Sequence, residues 1–167
     1  PLKVTRSHTK NELFDAFIKS GNSAGYPITD DFNGSSQEGF GRYDFSIYNG
    51  RRQSTAVAYL NPIKNRRNLD IITNAQVSKI IFNGKKAIAI EYERIGELVK
   101  VNVNKEIILS AGTINSPAIL QSSGIGDGED LKELGIEVTK DLKGVGKNLQ
   151  DHVAVYVQHL CKKPITI

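Results

Sequence analysis

The residues of this chain that could do chemistry are few. They are three histidines, one cysteine and several turns of small residues. His8, His152 and His159 have no neighbouring partner at metal-ligand spacing, and none stands in a nucleophile motif. No metal is expected. His159 lies in an alternating run that reads as a strand, where a structural or exposed role fits it. Asp151-His152 is placed differently. It follows a turn at Gly146 and precedes an alternating stretch, so a loop side chain there can be aimed into a cleft. A hydrogen-bonded loop histidine is the plainer role for it. Cys161 is the only cysteine, which excludes an internal disulfide and a cysteine zinc site, and a reducing compartment is compatible with it. The run Ile107-Ile108-Leu109-Ser110-Ala111-Gly112 carries more information. It reads as a buried strand ending in residues with little or no side chain. A ligand can approach such a backbone closely, as nucleotide sites require, and a tightly packed crossover without a ligand fits equally well. Gly124, Gly126 and Gly128 do not make a phosphate loop, because no strand precedes them and no P-loop lysine follows; they read as a flexible link.

Thr9 to Ala24 reads as a helix. Thr9 with Glu12 makes a capping box, Leu13, Phe14, Phe17 and Ile18 form an apolar stripe, and Gly25-Tyr26-Pro27 ends it. Residues 28–53 are rich in Gly, Asp, Asn and Ser with interleaved aromatics, the composition of a long structured loop. Ser54 can cap a short helix through Leu60. Strands are predicted at Leu69–Thr73, Val77–Phe82, Ala87–Tyr92, Leu98–Val103, Glu106–Leu109 and Val153–Gln158, with a hairpin turn at Asn83-Gly84. A helix is predicted from Ser116 to Ser122 with Pro117 in its first turn, and a shorter one from Asp130 to Leu134. The mixture argues an α/β or α+β class.

Composition narrows the partners. The 167 residues suffice for one domain of ordinary size. The net charge is only +4, and the densest basic stretch, Lys64 with Arg66-Arg67, lacks the interleaved aromatics of a nucleic-acid stripe. No nucleic-acid partner is expected. No apolar run approaches the roughly 20 residues that span a bilayer. The chain begins Pro1-Leu2-Lys3 without a methionine and ends on the strand-like Pro164-Ile165-Thr166-Ile167, which suggests an internal piece of a longer protein.

Several motifs now converge. Gly112-Thr113-Ile114-Asn115-Ser116-Pro117-Ala118-Ile119-Leu120-Gln121-Ser122-Ser123-Gly124-Ile125-Gly126 resembles the second signature of the glucose–methanol–choline oxidoreductases. The flanking runs agree in order. Gly50-Arg51-Arg52-Gln53-Ser54-Thr55-Ala56 with Ala58-Tyr59-Leu60, the stretch from Asn68 through Val77 to Phe82, and Gly144-Val145-Gly146-Lys147-Asn148-Leu149-Gln150-Asp151-His152 all resemble family features. Gly25-Tyr26-Pro27, Asp30-Asp31 and Gln37-Glu38-Gly39-Phe40-Gly41 look most like the choline dehydrogenase branch.

This resemblance implies part of an FAD-linked Rossmann-type domain together with part of a substrate domain. It implies FAD as cofactor and a small-molecule alcohol as substrate, oxidised by hydride transfer to the flavin. Val77 matches the position whose backbone meets the adenine part of FAD, and Ser110, Ala111 and Gly112 match the strand-end turn beside the adenosine. His152 and Ala154 match the substrate side. The family's glycine-rich dinucleotide loop and its catalytic histidine match nothing in these residues, so the catalytic residue is expected elsewhere and this chain is expected to be inactive alone. Choline-handling members carry a glutamate two residues after the histidine of the Asp-His pair, where this chain has Ala154. The implied setting is cytoplasmic, or associated with a membrane from the cytoplasmic side, with the electron acceptor and the membrane association itself left open. A non-catalytic binding module that keeps the fold is the competing reading.

Overall fold

The structure, a computed structural model, describes residues 2–7 and 9–165; Pro1, His8, Thr166 and Ile167 lie outside the described residues. The chain is a mixture of helices and strands, the α/β or α+β class expected. It divides into two compact units, Pro1–Ile71 with His159–Ile167 and Ile72–Gln158.

In the first unit a short strand, β1 (Thr5–Arg6), precedes helix α1 (Glu12–Ser23). The helix cap is Asn11, whose side-chain oxygen accepts the Leu13 N–H at 2.9 Å; the Thr9–Glu12 capping box does not form. Asn11 has the geometry to cap and lies next to the first helical residue, while Thr9 is two residues further out. Gly21 is the buried residue of the helix, and the Phe40 ring lies where its Cβ would be, 2.4 Å from the nearest ring atom. Phe40 also meets Phe17 and Tyr26, with ring centroids 5.0 and 5.7 Å away. Backbone bonds from Thr29 N to Phe40 O and from Phe40 N to Pro27 O, both 2.9 Å, hold that aromatic in place.

The long loop is therefore structured, as its composition suggested. It contains β2 (Asp44–Phe45), paired antiparallel with β1, and the small hairpin β3 (Ile47–Tyr48) to β4 (Arg51–Arg52). Asn49 and Gly50 turn that hairpin, both at positive φ, the conformation Asn-Gly favours in a two-residue loop. Ser54 does cap the next turn: its Oγ accepts the Val57 N–H at 3.2 Å. That turn, Ala56–Leu60, is π-helical.

The second unit is built on a three-stranded antiparallel sheet, β5 (Gln76–Asn83), β6 (Lys86–Arg94) and β7 (Glu97–Asn102), in that order. The first hairpin turns at Gly84-Lys85, with Asn83 paired to Lys86, so the predicted turn lies one residue further on. The second turns at Ile95-Gly96. Helix α2 runs from Gly112 to Ser122, four residues earlier at its start than predicted, and Pro117 lies inside it. Pro117 costs the helix one bond, to the Thr113 carbonyl, yet the five helical residues before it complete a first turn. Helix α3 (Gly128–Glu133) is capped by Asp127, whose Oδ1 accepts the Glu129 N–H at 3.1 Å. Strands β8 (Ile125–Gly126) and β9 (Lys140–Asp141) pair in parallel.

The core of this unit is small. Among the described residues the buried apolar side chains are Ile80, Ala89, Tyr92, Ile119 and Leu131. The glycines at 124–128 are packed rather than flexible: Gly124, Gly126 and Gly128 are all buried, and the Gly124 carbonyl accepts the N–H of Thr139 at 2.8 Å and of Lys140 at 3.0 Å. Three predicted strands do not form. Residues 69–73, 106–109 and 153–158 pair with no strand among the described residues. The strand predicted before Ser110 is an unpaired segment with Ile108 79% exposed and Ile107 and Leu109 half-buried, and Val153 in the last of the three is 95% exposed. Strand residues need a partner, and these have none among the described residues.

Candidate functional site

Val77 sits on β5, half-buried and opposite Tyr92. The next residue breaks the register. Val77 pairs with Tyr92 and Lys79 with Glu91, which leaves Ser78 as the extra residue of a β-bulge. The Ser78 hydroxyl donates to the Glu91 carbonyl at 3.0 Å, standing in for the interrupted ladder.

Ser110, Ala111 and Gly112 are exposed and lead into α2. The Ala111 N–H donates to Ser116 Oγ at 3.0 Å, and Gly112 has a φ of +87°. No atom lies within 4 Å of where a Gly112 Cβ would be. The turn is thus open rather than a packed crossover. Small residues, a left-handed backbone only glycine adopts readily, and uncovered peptide groups at the start of an 11-residue helix together fit a ligand that approaches the main chain.

Helix α2 connects the two predicted contacts. Its far end holds β5 through two hydroxyls: Ile80 N–H donates to Ser123 Oγ at 2.8 Å, and Ser122 Oγ donates to Ser78 O at 2.6 Å. Val77 therefore lies beside the end of the helix and the 110–112 turn lies at its beginning. A helix of this length spans about 16 Å. The helix separates the two positions; no direct bond joins them.

His152 and Ala154 are exposed on an extended segment. The Asp151 carboxylate accepts the backbone N–H of His152 at 2.7 Å, so it orders the main chain and leaves the imidazole out of that bond. The loop leading there is better anchored. Gln121 Nε2 donates to Val145 O at 3.4 Å, and Lys147 Nζ meets Asp130 Oδ2 at 3.1 Å. The hydrogen bond that Lys147 donates to Asp130, and then the Asp130 charge, hold the Lys147 ammonium above the usual lysine range. Between this loop and α2 lies a cavity of about 600 Å³, lined by Thr113, Ile114, Pro117, Gln121, Lys147 and Leu149 among others. Among the described residues no group of three or more His, Cys, Asp or Glu side chains could hold a metal ion, and no helix is long and apolar enough to cross a membrane.

Sequence reasoning missed Ser78, Ser122 and Ser123 as linking groups. The two adjacent serines before Gly124 were visible, but a serine's role as a strand-edge partner depends on which strand docks there, and no local pattern encodes that.

Comparison with known proteins gives the class. A family model described as GMC oxidoreductase matches residues 1–154. The chain belongs to the GMC oxidoreductase family. All 167 residues align with the mitochondrial choline dehydrogenase of Mus musculus at 47% identity, and the whole chain aligns with oxygen-dependent choline dehydrogenase 1 of Chromohalobacter salexigens at 50%. It spans 28% and 30% of those two relatives. Among solved structures, an FAD-dependent oxidoreductase from Chaetomium thermophilum matches 90% of the chain with a TM-score of 0.85 and 33% identity, the chain covering 27% of it.

Proposed function

We propose that this chain is an internal segment of an FAD-dependent alcohol oxidoreductase of the choline dehydrogenase type, contributing parts of the FAD-binding and substrate domains. The observation that carries this is the alignment of the entire chain with choline dehydrogenases at 47–50% identity, over less than a third of their length. The open turn at Ser110–Gly112 supports the cofactor, because its residue types and backbone fit close approach by a nucleotide.

Oxidising an alcohol removes a hydride from the carbinol carbon and a proton from the hydroxyl. FAD, when bound, supplies the hydride acceptor. The residues of this chain bind and orient. The backbone of Val77 and the Ser110–Gly112 turn form the adenosine wall. His152 and Ala154 face the substrate side. The proton needs a positioned base, and that base comes from outside these 167 residues.

The substrate is a small alcohol, and a neutral one ranks ahead of choline. Ala154 gives its wall no carboxylate, and an ammonium desolvated without a charge partner loses on the order of 2–5 kcal/mol. The test uses the full-length enzyme: flavin content by absorbance, then kcat/KM for choline and for its uncharged isostere 3,3-dimethylbutan-1-ol. Bound FAD with a preference for the isostere is expected, and Ala154→Glu should shift preference toward choline. A protein without flavin that turns over no alcohol would establish the non-catalytic module instead. A strong choline preference in the unmodified enzyme would overturn the role given to Ala154.

A further inference from the structure

The outer edge of β5 is held by α2, and the residue it holds is the bulge. Two side chains at the end of α2, Ser122 and its C-cap Ser123, act there as a strand would. The hydroxyl of Ser123, buried, accepts the Ile80 N–H at 2.8 Å and donates its own hydrogen bond to the Ile119 carbonyl. The hydroxyl of Ser122 donates at 2.6 Å to the carbonyl of Ser78, the extra residue. From the other side, Ser78 Oγ donates to the Glu91 carbonyl at 3.0 Å. The bulge is thus pinned from the sheet and from the helix at once. A bulge bends its strand and re-aims the backbone on either side of it. Val77 is the residue immediately before it.

We propose that Ser122 and Ser123, acting through the Ser78 bulge, are positioning residues that aim the Val77 backbone at the adenine of FAD. This rests on the proposed function, since it takes FAD as the ligand and Val77 as its adenine contact. The two serines touch no cofactor themselves. The arrangement also makes α2 a strut: one end opens at the Ser110–Gly112 turn, the other fixes the direction of the Val77 peptide. Freeing the bulge loosens one adenosine contact and leaves the other in place.

The experiment uses the full-length flavoprotein stripped of flavin and titrated with two probes, FAD and flavin hypoxanthine dinucleotide. The second replaces the adenine amino group by an oxo group and so alters what a backbone group can bond. The unmodified protein should prefer FAD. Ser122→Ala should weaken FAD about five- to tenfold, the size of one lost hydrogen bond, and bring the preference close to unity. Ser122→Thr, which keeps the hydroxyl, should restore both. Ser78→Ala serves as a second variant, and Ser123→Ala as a third if it folds; melting curves identify a variant that has merely lost its fold. Equal weakening of both probes means a purely structural role and overturns the proposal, as does an unchanged preference in Ser122→Ala and Ser78→Ala. Failure of the unmodified protein to bind FAD at all would instead sink the functional reading beneath it, and indifference to the base would sink the Val77 contact.

Discussion

Replacing Gly124 with alanine should be among the most damaging single-methyl additions to this chain. Two separate effects act there. The residue has a φ of +82°, where an L side chain costs about 1–2 kcal/mol. A Cβ would also lie 2.3 Å from the Glu137 carbonyl oxygen and 2.7 Å from Thr139 Oγ1. That carbonyl cannot retreat freely, because Thr139 and Lys140 are tied to the Gly124 carbonyl and Leu142 to the Gly126 carbonyl at 2.7 Å. Overpacking against a fixed neighbour adds about 1–3 kcal/mol, giving a total of about 2–5 kcal/mol for Gly124→Ala. Gly84→Ala is the matched control. Its φ is +56° with nothing within 4 Å of the new Cβ, so it has the backbone effect alone. Urea unfolding followed by far-ultraviolet circular dichroism should rank the two, with Gly124→Ala worse by at least about 1 kcal/mol. If the two variants unfold within about 0.5 kcal/mol of each other, the reasoning from the Glu137 contact is wrong.

Three further outcomes are expected. Ala111→Trp should abolish flavin content in the full-length protein, because an indole would fill the approach to the open turn; a folded variant with undiminished flavin absorbance counts against that site. Ile95→Asn should stabilise the sheet by about 1 kcal/mol, since a β-branched residue at φ +54° and 88% exposure gains nothing from burial and Asn tolerates the left-handed region; thermal melts will show the sign. The Lys147–Asp130 pair raises the lysine's pKa in the folded state, so its contribution is complete below the usual lysine range and disappears as pH climbs through the raised value. Unfolding curves of the parent and Lys147→Met should therefore differ at neutral pH and converge at strongly alkaline pH.

Local chemistry made some elements readable and hid others. The hairpin of β5 and β6 was legible because alternation flanks a turn dipeptide and both strands find their partners within twenty residues. Helix α1 was legible from its stripe, with the cap falling on Asn11 beside the first helical residue rather than on Thr9. The start of α2 was misread through Pro117: proline is common in a first turn, but here a full turn forms ahead of it, opened by a glycine at positive φ. The strands expected at 69–73, 106–109 and 153–158 have the right residues and no partner, and alternation cannot report whether a neighbour exists. Of the candidate site, the small-residue turn was visible as composition. The Ser78 bulge was not, because a bulge is a mismatch between two strands and belongs to neither sequence alone.

In the isolated segment, which spans less than a third of the relatives it matches, the stretch from Val153 to Gln158 is uncovered. It is six consecutive residues, Val-Ala-Val-Tyr-Val-Gln, with no charge, no proline and no glycine. Its strand-forming side chains Val153, Val155, Tyr156 and Val157 are all largely exposed. Such a window, left open, is a template for cross-β stacking between copies. Lys162, Lys163 and Pro164 follow within a few residues and act as gatekeepers at one end, while Asp151 and His152 border the other. Thioflavin fluorescence is expected to rise in concentrated solutions of the isolated segment, and Val155→Lys is expected to hold it at baseline.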